Sequence, residues 1–124
     1  MPAKSPEEWT LCSKKYVNAG DLDSLVDLYE PTATLLAAPG QGATGHDAIR
    51  AGLKGFLDGK AVVKLNVTQT ITAGDTAVTY NDWTGVMTGP DGAKIEMPGK
   101  AIEVCRRQAD GTWRFAIDDP FARG

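Results

Sequence analysis

Two carboxylate residues, Asp82 and Glu103, each fall in a long segment where apolar and polar residues alternate. Such alternation predicts a β-strand with one buried face. A carboxylate on a buried face is unfavourable unless it is hydrogen-bonded, shares a proton or contacts a ligand. Because paired carboxylates with different pKa values suit general acid–base catalysis, we take Asp82 and Glu103 as candidate catalytic residues.

The predicted inward-facing positions of these strands include both carboxylates. Extending one unbroken alternation gives the set Val63, Leu65, Val67, Ile71, Val78, Tyr80, Asp82, Thr84, Ala101, Glu103 and Cys105. The same pattern also has a purely structural explanation, in which Tyr16, Tyr80 or an arginine near the rim satisfies either carboxylate. Both interpretations stay open at this point.

Four aromatic side chains are candidates to contact a ligand beside these carboxylates. Trp9 and Tyr16 lie on the apolar face of a predicted first helix, Phe56 lies on that of a third helix, and Tyr80 belongs to the inward-facing set. An apolar cavity with a few polar groups is the usual form of a small-molecule site.

The sequence offers no recognisable metal or nucleotide site. His46 is the only histidine, and Cys12 and Cys105 are far apart in the sequence, so they form no convergent set of metal ligands. We expect both cysteines to be buried thiols and His46 to be a helix-start residue. The glycines of 40–42 lack the strand–turn–helix context of a phosphate-binding loop. We therefore expect no metal and no cofactor.

The composition is that of one globular domain spanning residues 1–124. The net charge is −3 and the basic residues are scattered, which does not favour nucleic acid or an anionic membrane as a partner. The first residues are too polar for a signal peptide, and no window has the roughly 18 apolar residues of a membrane span. We expect a cytoplasmic protein.

Helices occupy the first half of the predicted fold. Ser5 followed by Pro6 is typical of a helix start, and Gly20 of a helix end near residue 18. Asp21 caps a short second helix that Pro31 stops. A strand at 33–38, a loop at 39–42 and a third helix from residue 46 to Gly59 follow.

Four strands complete the prediction. The period changes from helical to two at residue 61, and turns at 73–75, 89–92 and 110–111 separate strands at 61–72, 76–88, 93–107 and 112–118. We expect an interruption near Pro98 and Gly99 in the third of them. Helices followed by an antiparallel meander predict an α+β fold, with the helices on one face of the sheet.

Several local strings resemble members of the SnoaL-like and ketosteroid-isomerase-like families, within the nuclear-transport-factor-2-like superfamily. The strings are Asn18-Ala19-Gly20-Asp21-Leu22-Asp23, Leu28-Tyr29 before Ala33-Thr34, Gly45-His46-Asp47-Ala48-Ile49-Arg50 and Asp110-Gly111-Thr112-Trp113. The resemblance covers nearly the whole chain. It implies a cone in which a helical hairpin, a third helix and a curved antiparallel sheet enclose one pocket. Such strings identify the fold better than the chemistry.

The resemblance also implies positions for catalytic residues. The roles of Tyr, Asp base and protonated Asp in similar ketosteroid isomerases fall on Ser13, Ala37 and Glu103, of which only Glu103 carries a carboxyl group. Since Ala37 cannot act as a base, we argue against a ketosteroid isomerase. The family resemblance further implies that Asp118 reaches the pocket mouth.

The register of the last strand has two alternatives. Either Trp113, Phe115 and Ile117 point inward and Asp118 points outward, or the reverse holds. The second alternative joins these apolar residues to Trp83, Ile102 and Val104 on the outer face of the sheet. That patch would be too large for a monomer, and it predicts a homodimer, which the resemblance also implies.

Two functional hypotheses follow. The first is a small-molecule-binding protein of the SnoaL-like kind, with a possible cofactor-independent isomerase, cyclase or hydratase activity on an apolar, oxygenated ligand. The alternative is a non-catalytic dimeric module whose cone is a filled core and whose sheet face binds a protein.

Overall fold

The computed structural model describes residues 5–38 and 40–122, although the side chains of Glu7, Ala37, Ala38 and Phe56 lie outside the described part. Within those residues the chain forms three helices and six strands. In chain order they are α1 Pro6–Ala19, α2 Leu22–Val26, β1 Tyr29–Ala38, β2 Gln41–Thr44, α3 His46–Asp58, β3 Val62–Ala73, β4 Thr76–Thr88, β5 Lys94–Arg107 and β6 Trp113–Asp119.

The predicted helix caps are confirmed. The Ser5 side chain accepts a hydrogen bond from the backbone N–H of Glu8 at 3.2 Å at the start of α1. Gly20 ends α1 with φ 69°, a left-handed conformation that glycine adopts without steric cost. Asp21 begins α2 by accepting from the N–H of Ser24 at 3.1 Å. These caps fix the turn between α1 and α2.

The segment after α2 differs from the prediction. The second helix ends at Val26, and Tyr29 and Pro31 already belong to β1. Pro31 falls in an irregular stretch between two paired positions of β1 and β6, where its missing N–H removes no ladder hydrogen bond. The predicted loop is also partly wrong, because residues 41–44 pair with β1 as the antiparallel strand β2.

The six strands form one curved, unclosed sheet in the order β2-β1-β6-β5-β4-β3. Strands β1 and β6 run parallel, and the other neighbours are antiparallel. The three helices pack on one face of this sheet, as the sequence predicts for an α+β fold.

An aromatic cluster fills the space between α1 and the middle of the sheet. Trp9 is fully buried, and its indole N–H donates to the backbone oxygen of Leu28 at 3.0 Å. Its ring meets Phe115 edge-on at 6.1 Å, and the Phe115 ring lies 5.1 Å from that of Tyr29. These contacts hold α1 against β1 and β6.

A β-bulge in β3 breaks the predicted alternation. Val67 pairs with Asn81, but Gln69 pairs with Tyr80, so Thr68 is an extra residue. Beyond this bulge the inward positions shift by one, which places Ile71 on the outer face with 47% of its surface exposed. The prediction that Ile71 faces the helices is therefore wrong.

The predicted register of β4 is also wrong by one residue. The buried positions are Ala77, Thr79, Asn81 and Trp83. Val78, Tyr80, Asp82 and Thr84 consequently belong to the outer face, where Asp82 and Thr84 are exposed. Hydrophobicity misleads here because the outer face of β4 carries a valine and a tyrosine, whereas the inner face carries polar residues that are hydrogen-bonded.

The last strand satisfies neither predicted alternative. Phe115 pairs with Cys105 and Ile117 with Val104, so Ala116 forms a bulge in β6. Trp113 and Phe115 are buried as a result, Ile117 is 46% exposed on the outer face, and Asp118 lies against the interior.

Strand β5 continues through Pro98 and Gly99 without the predicted interruption. Pro98 is exposed, and Gly99 lies directly beneath the indole of Trp83, where a Cβ atom would overlap the ring. A glycine here therefore serves close packing.

We predict that Gly99→Ala lowers the free energy of unfolding by about 1–3 kcal/mol, because the added methyl group displaces a hydrogen-bonded tryptophan. Urea unfolding measures the change. The matched control is Gly55→Ala in α3, where a Cβ atom meets nothing within 4 Å, and the helix should gain up to about 1 kcal/mol. Equal stability of Gly99→Ala and the native protein would contradict the packing argument.

Candidate functional site

A cavity of about 100 Å³ lies between the helices and the sheet and is partly open to solvent. Every helix and strand except β2 contributes to its wall. The lining residues are Ser13, Val17, Leu25, Tyr29, Leu53, Val63, Leu65, Asn81, Trp83, Ala101, Glu103, Asp118 and Pro120. Most are apolar, and the polar ones are concentrated on β1, β4, β5 and β6.

Glu103 is the most deeply buried charged residue of the cavity wall, with 5% of its surface exposed. The amide nitrogen of Asn81 donates to both carboxyl oxygens, at 2.9 and 2.8 Å. The Thr79 hydroxyl donates to Oε1 at 2.8 Å. These donors offset the loss of hydration that makes a buried carboxylate unfavourable.

Asp118 is the second carboxyl group of the cavity. The phenol of Tyr29 donates to its Oδ2 at 2.5 Å. Burial raises the pKa of Asp118 to about 6, although the hydrogen bond from Tyr29 acts in the opposite direction. Burial and the charge of Asp118 also raise the pKa of Tyr29 well above its ordinary value, so the phenol stays a donor. Asp118 is thus able to exchange a proton near neutral pH.

The two carboxyl groups come from neighbouring strands and line the same cavity. Glu103 on β5 and Asp118 on β6 are directly paired positions of the sheet, and directly paired side chains start from Cβ atoms about 5 Å apart. Only the bulge at Ala116 gives Asp118 this orientation, since without it Phe115 and Asp118 would point to opposite faces.

The predicted site residues separate into several groups. Glu103, Asp118 and Ser13 line the cavity. Asp82 is exposed on the outer face, so the predicted pairing of Asp82 with Glu103 is wrong. Tyr80 lies on the same outer face, and the Phe56 and Ala37 side chains fall outside the described residues. These residues therefore do not form the single cluster that the sequence predicts.

Trp9 and Tyr16 take structural positions rather than cavity positions. Trp9 is a fully buried part of the aromatic cluster, and Tyr16 packs on the same core while remaining partly exposed. Neither residue is part of the lining of the cavity.

Sequence reasoning missed Tyr29 and Asn81 as site residues. The predicted second helix, which extends to Pro31, includes Tyr29, and the predicted alternation puts Asn81 on the outer face of β4. An asparagine on the strand next to an inward-facing glutamate is a signal that could have identified Asn81, because an amide N–H₂ group can donate a hydrogen bond to a carboxylate. However, using this signal requires the register that pairs Asn81 with Val67, and the extra residue Thr68 changes the register beyond that pair.

The remaining candidates for chemistry have structural positions. His46 Nε2 lies 2.7 Å from the backbone oxygen of Tyr29, to which it donates at the start of α3. Cys105 is fully buried, and burial raises the pKa of its thiol; Cys12 is only partly buried. In residues 5–38 and 40–122, no three His, Cys, Asp or Glu side chains are grouped as metal ligands, and no helix is long and apolar enough to cross a membrane.

We predict that Asp118 makes the protein less stable as pH rises from about 4 to about 6. In this range the unfolded chain has released the Asp118 proton, whereas the folded protein still holds it, so raising the pH favours unfolding. The pKa difference between 3.8 and about 6 corresponds to at most about 3 kcal/mol, reduced by water in the open cavity.

Asp118→Asn should abolish this dependence, measured by urea unfolding between pH 4 and pH 7. Asp82→Asn, a matched change on the outer face, should leave it in place. If Asp82→Asn, and not Asp118→Asn, removed the change of the unfolding free energy with pH, Asp118 would not be the carboxyl group responsible.

Comparison with known proteins identifies the fold. A ketosteroid isomerase-like protein from Erwinia carotovora atroseptica superposes with a TM-score of 0.80 at 18% identity, over 91% of this chain and 89% of that one. An NTF2-like protein with a cystatin-like fold from Novosphingobium aromaticivorans gives 0.75 at 17% identity, over 90% and 75%. At these identities the similarity shows the α+β fold alone.

A third similar structure is an enzyme. The epoxide hydrolase/cyclase-like enzyme SalBIII, which has a role in pyran ring formation in the polyether salinomycin, superposes with a TM-score of 0.69 at 17% identity, over 93% of this chain and 88% of that one. No curated protein matches the chain. The sequence profile of the SnoaL-like domain matches residues 15–116, which is most of the chain, and the chain therefore belongs to the SnoaL-like domain family.

Proposed function

We propose that this protein binds a small apolar molecule with one or two oxygen atoms in the cavity, and that Asp118 exchanges a proton with it. The observation that carries the proposal is a mostly apolar cavity whose wall includes two hydrogen-bonded carboxyl groups at directly paired strand positions. An apolar site with a few convergent polar groups and a perturbed pKa is the usual form of a binding or catalytic site. Membership of the SnoaL-like family supports this proposal.

The cavity volume limits the ligand. About 100 Å³ is less than the roughly 150 Å³ of an engineered protein cavity that binds benzene, and well below the roughly 300–1,000 Å³ of sites for drug-sized molecules. The cavity therefore suits a very small molecule or the oxygen-bearing end of a longer one. Because the cavity is partly open to solvent, the rest of a longer ligand extends outward.

The chemistry follows from the two forms of Asp118. The ionised carboxylate accepts a proton from the bound molecule, and the protonated carboxyl group returns a proton to another atom of it, so the enzyme is unchanged at the end. This step suits an isomerisation or a cyclisation, and in both cases the side chains supply all the proton transfers. The fold similarity to the cyclase-like SalBIII is consistent with it.

Such a reaction differs from that of the ketosteroid isomerases which the chain resembles. Their base position falls on Ala37, which has no titratable group. Asp118, on the opposite end of the sequence, is the carboxyl group that takes over proton transfer in our proposal.

We predict that Ser13→Phe reduces binding of a probe alcohol, cyclopentanol, at least about tenfold, because the ring occupies the cavity from the α1 side. Shifts of backbone amide NMR signals during titration report both the site and the affinity. Leu11→Phe is the matched control, since Leu11 is 47% exposed on the same helix and should leave binding unchanged. Unaltered binding in Ser13→Phe would place the ligand elsewhere.

A second candidate function is a dimeric module, and one observation favours its dimer component. Ile71, Val78, Val104 and Ile117 are paired in register across β3, β4, β5 and β6, and form a continuous apolar row on the outer face. The row next to it contains Tyr80 and Ile102. We propose that two copies pack these rows against each other. The same dimer is compatible with a ligand in the cavity, which lies on the other face.

We predict that the native protein is a dimer at micromolar concentration and that Ile117→Lys makes it a monomer, because it adds a charge to the apolar row. Sedimentation velocity gives the mass, and circular dichroism checks the fold. Leu11→Lys is the matched control, because Leu11 is 47% exposed in the native protein and Ile117 is 46% exposed. This variant should remain dimeric. A monomeric native protein would exclude this interface.

A further inference from the structure

The hydrogen bonds around Glu103 determine which form of this carboxyl group the protein stabilises. The amide nitrogen of Asn81 contacts both oxygens, and the Thr79 hydroxyl contacts Oε1. An amide N–H₂ group donates and cannot accept, so its bidentate contact fits a carboxylate and not a carboxylic acid. The shared amide N–H of Asn81 and the hydroxyl of Thr79 both donate to the charged form and make loss of that charge unfavourable.

A chain of hydroxyl groups extends this arrangement to α1. Thr10 Oγ1 lies 3.1 Å from Thr79 Oγ1. The Thr79 proton is directed at Glu103, so Thr79 accepts from Thr10, whose one hydroxyl proton is shared with the backbone oxygen of Pro6 at 3.3 Å. Thr10, Thr79 and Asn81 are each at most 1% exposed, and donors fixed in a dry interior interact more strongly than donors in water.

Asp118 has a different environment although it stands directly opposite Glu103. It receives one hydrogen bond, from Tyr29, and lies beside the open cavity. Two carboxylates at paired positions disfavour each other's charge. Asp118, the member with fewer donors, is therefore the one that takes up a proton first, and burial, which raises the pKa of Asp118, acts in the same direction.

The side-chain donors that line the cavity are already engaged. Tyr29 donates to Asp118, Trp83 Nε1 donates to the backbone oxygen of Pro120 at 2.7 Å, and Ser13 donates to the backbone oxygen of Thr10 at 2.6 Å. Among the described lining residues there is no Lys, Arg or His. The cavity consequently offers a ligand carboxylate oxygens, which accept hydrogen bonds.

We propose that Asn81 and Thr79 are positioning residues that hold Glu103 as a permanent hydrogen-bond acceptor, so that the cavity selects ligands carrying an O–H or N–H donor and Asp118 alone exchanges protons. This inference rests on the proposed function for its statement about ligands. Its statement about Glu103 is independent of any ligand. It excludes carboxylates and disfavours simple ketones as ligands at neutral pH.

The first test follows the protonation of Glu103 directly in the intact protein. Carbon-13 NMR of the glutamate carboxyl carbons should show Glu103 ionised at every pH from 5 to 8. Thr79→Val, which keeps the shape and removes one donor, should make Glu103 take up a proton at higher pH than it does natively. Thr84→Val, the same change on the exposed face of the same strand, should have no effect. A Glu103 that is protonated at pH 7 overturns the proposal.

The second test compares two probes of nearly equal size, cyclopentanol and cyclopentanone, by amide NMR titration. At pH 7.5 the alcohol should bind at least about tenfold more tightly than the ketone, which is the factor expected for one hydrogen bond to a charged group. At pH 5 the ketone should gain affinity several-fold, because protonated Asp118 then donates to it. Thr79→Val should reduce the preference for the alcohol, whereas Thr84→Val should retain it.

The outcomes separate this inference from the proposed function. Equal affinity for both probes at pH 7.5 overturns the selection of donors while leaving the cavity as a ligand site. Failure of both probes to bind, with Glu103 still ionised, overturns the proposed function and ligand selection but supports the positioning of Glu103 by Asn81 and Thr79.

Discussion

The carboxyl group of Glu103 places the strongest constraint on this fold, because a group of this kind is unfavourable in an apolar interior unless donors surround it. Its donors come from β4, and the hydroxyl of Thr10 on α1 contacts one of them. The register of β4 against β5 and the docking of α1 on the sheet must therefore be correct together. A shift of one residue along β4 would place Asp82 where Asn81 lies, which would replace a donor by a second negative charge.

Two bulges make this arrangement possible. The extra residue Thr68 in β3 allows Val67 and Thr70 to meet Asn81 and Thr79 on the inner face. The extra residue Ala116 in β6 allows Phe115 and Asp118 to share that face, one in the aromatic core and the other in the cavity. Bulges of this kind are common where a strand must redirect a side chain at a site. They connect the packing of the core with the geometry of the two carboxyl groups.

The two faces of the sheet carry different kinds of residue. The inner face combines the aromatic cluster around Trp9 with the hydrogen-bonded polar residues, while the outer face carries the apolar row that includes Val104 and Ile117. Neighbouring residues of one strand serve different faces, as Glu103 and Val104 do. Substitutions in the apolar row and in the cavity can therefore be made independently, so the proposed dimerisation and the proposed ligand binding can be tested separately.

The sequence by itself determined the three helices, the strand at 33–38 and the four later strands, the caps at Ser5, Gly20 and Asp21, and an inward position for Glu103, because these depend on local conformation and on a clear alternation in β5. It did not determine that Asp82 faces outward, that Tyr29 begins a strand, or that Asp118 joins Glu103 in the cavity. Those facts depend on the bulges at Thr68 and Ala116 and on the parallel pairing of β1 with β6. One extra residue reverses every later side chain in a strand, and only pairing with a neighbouring strand reveals where that residue lies.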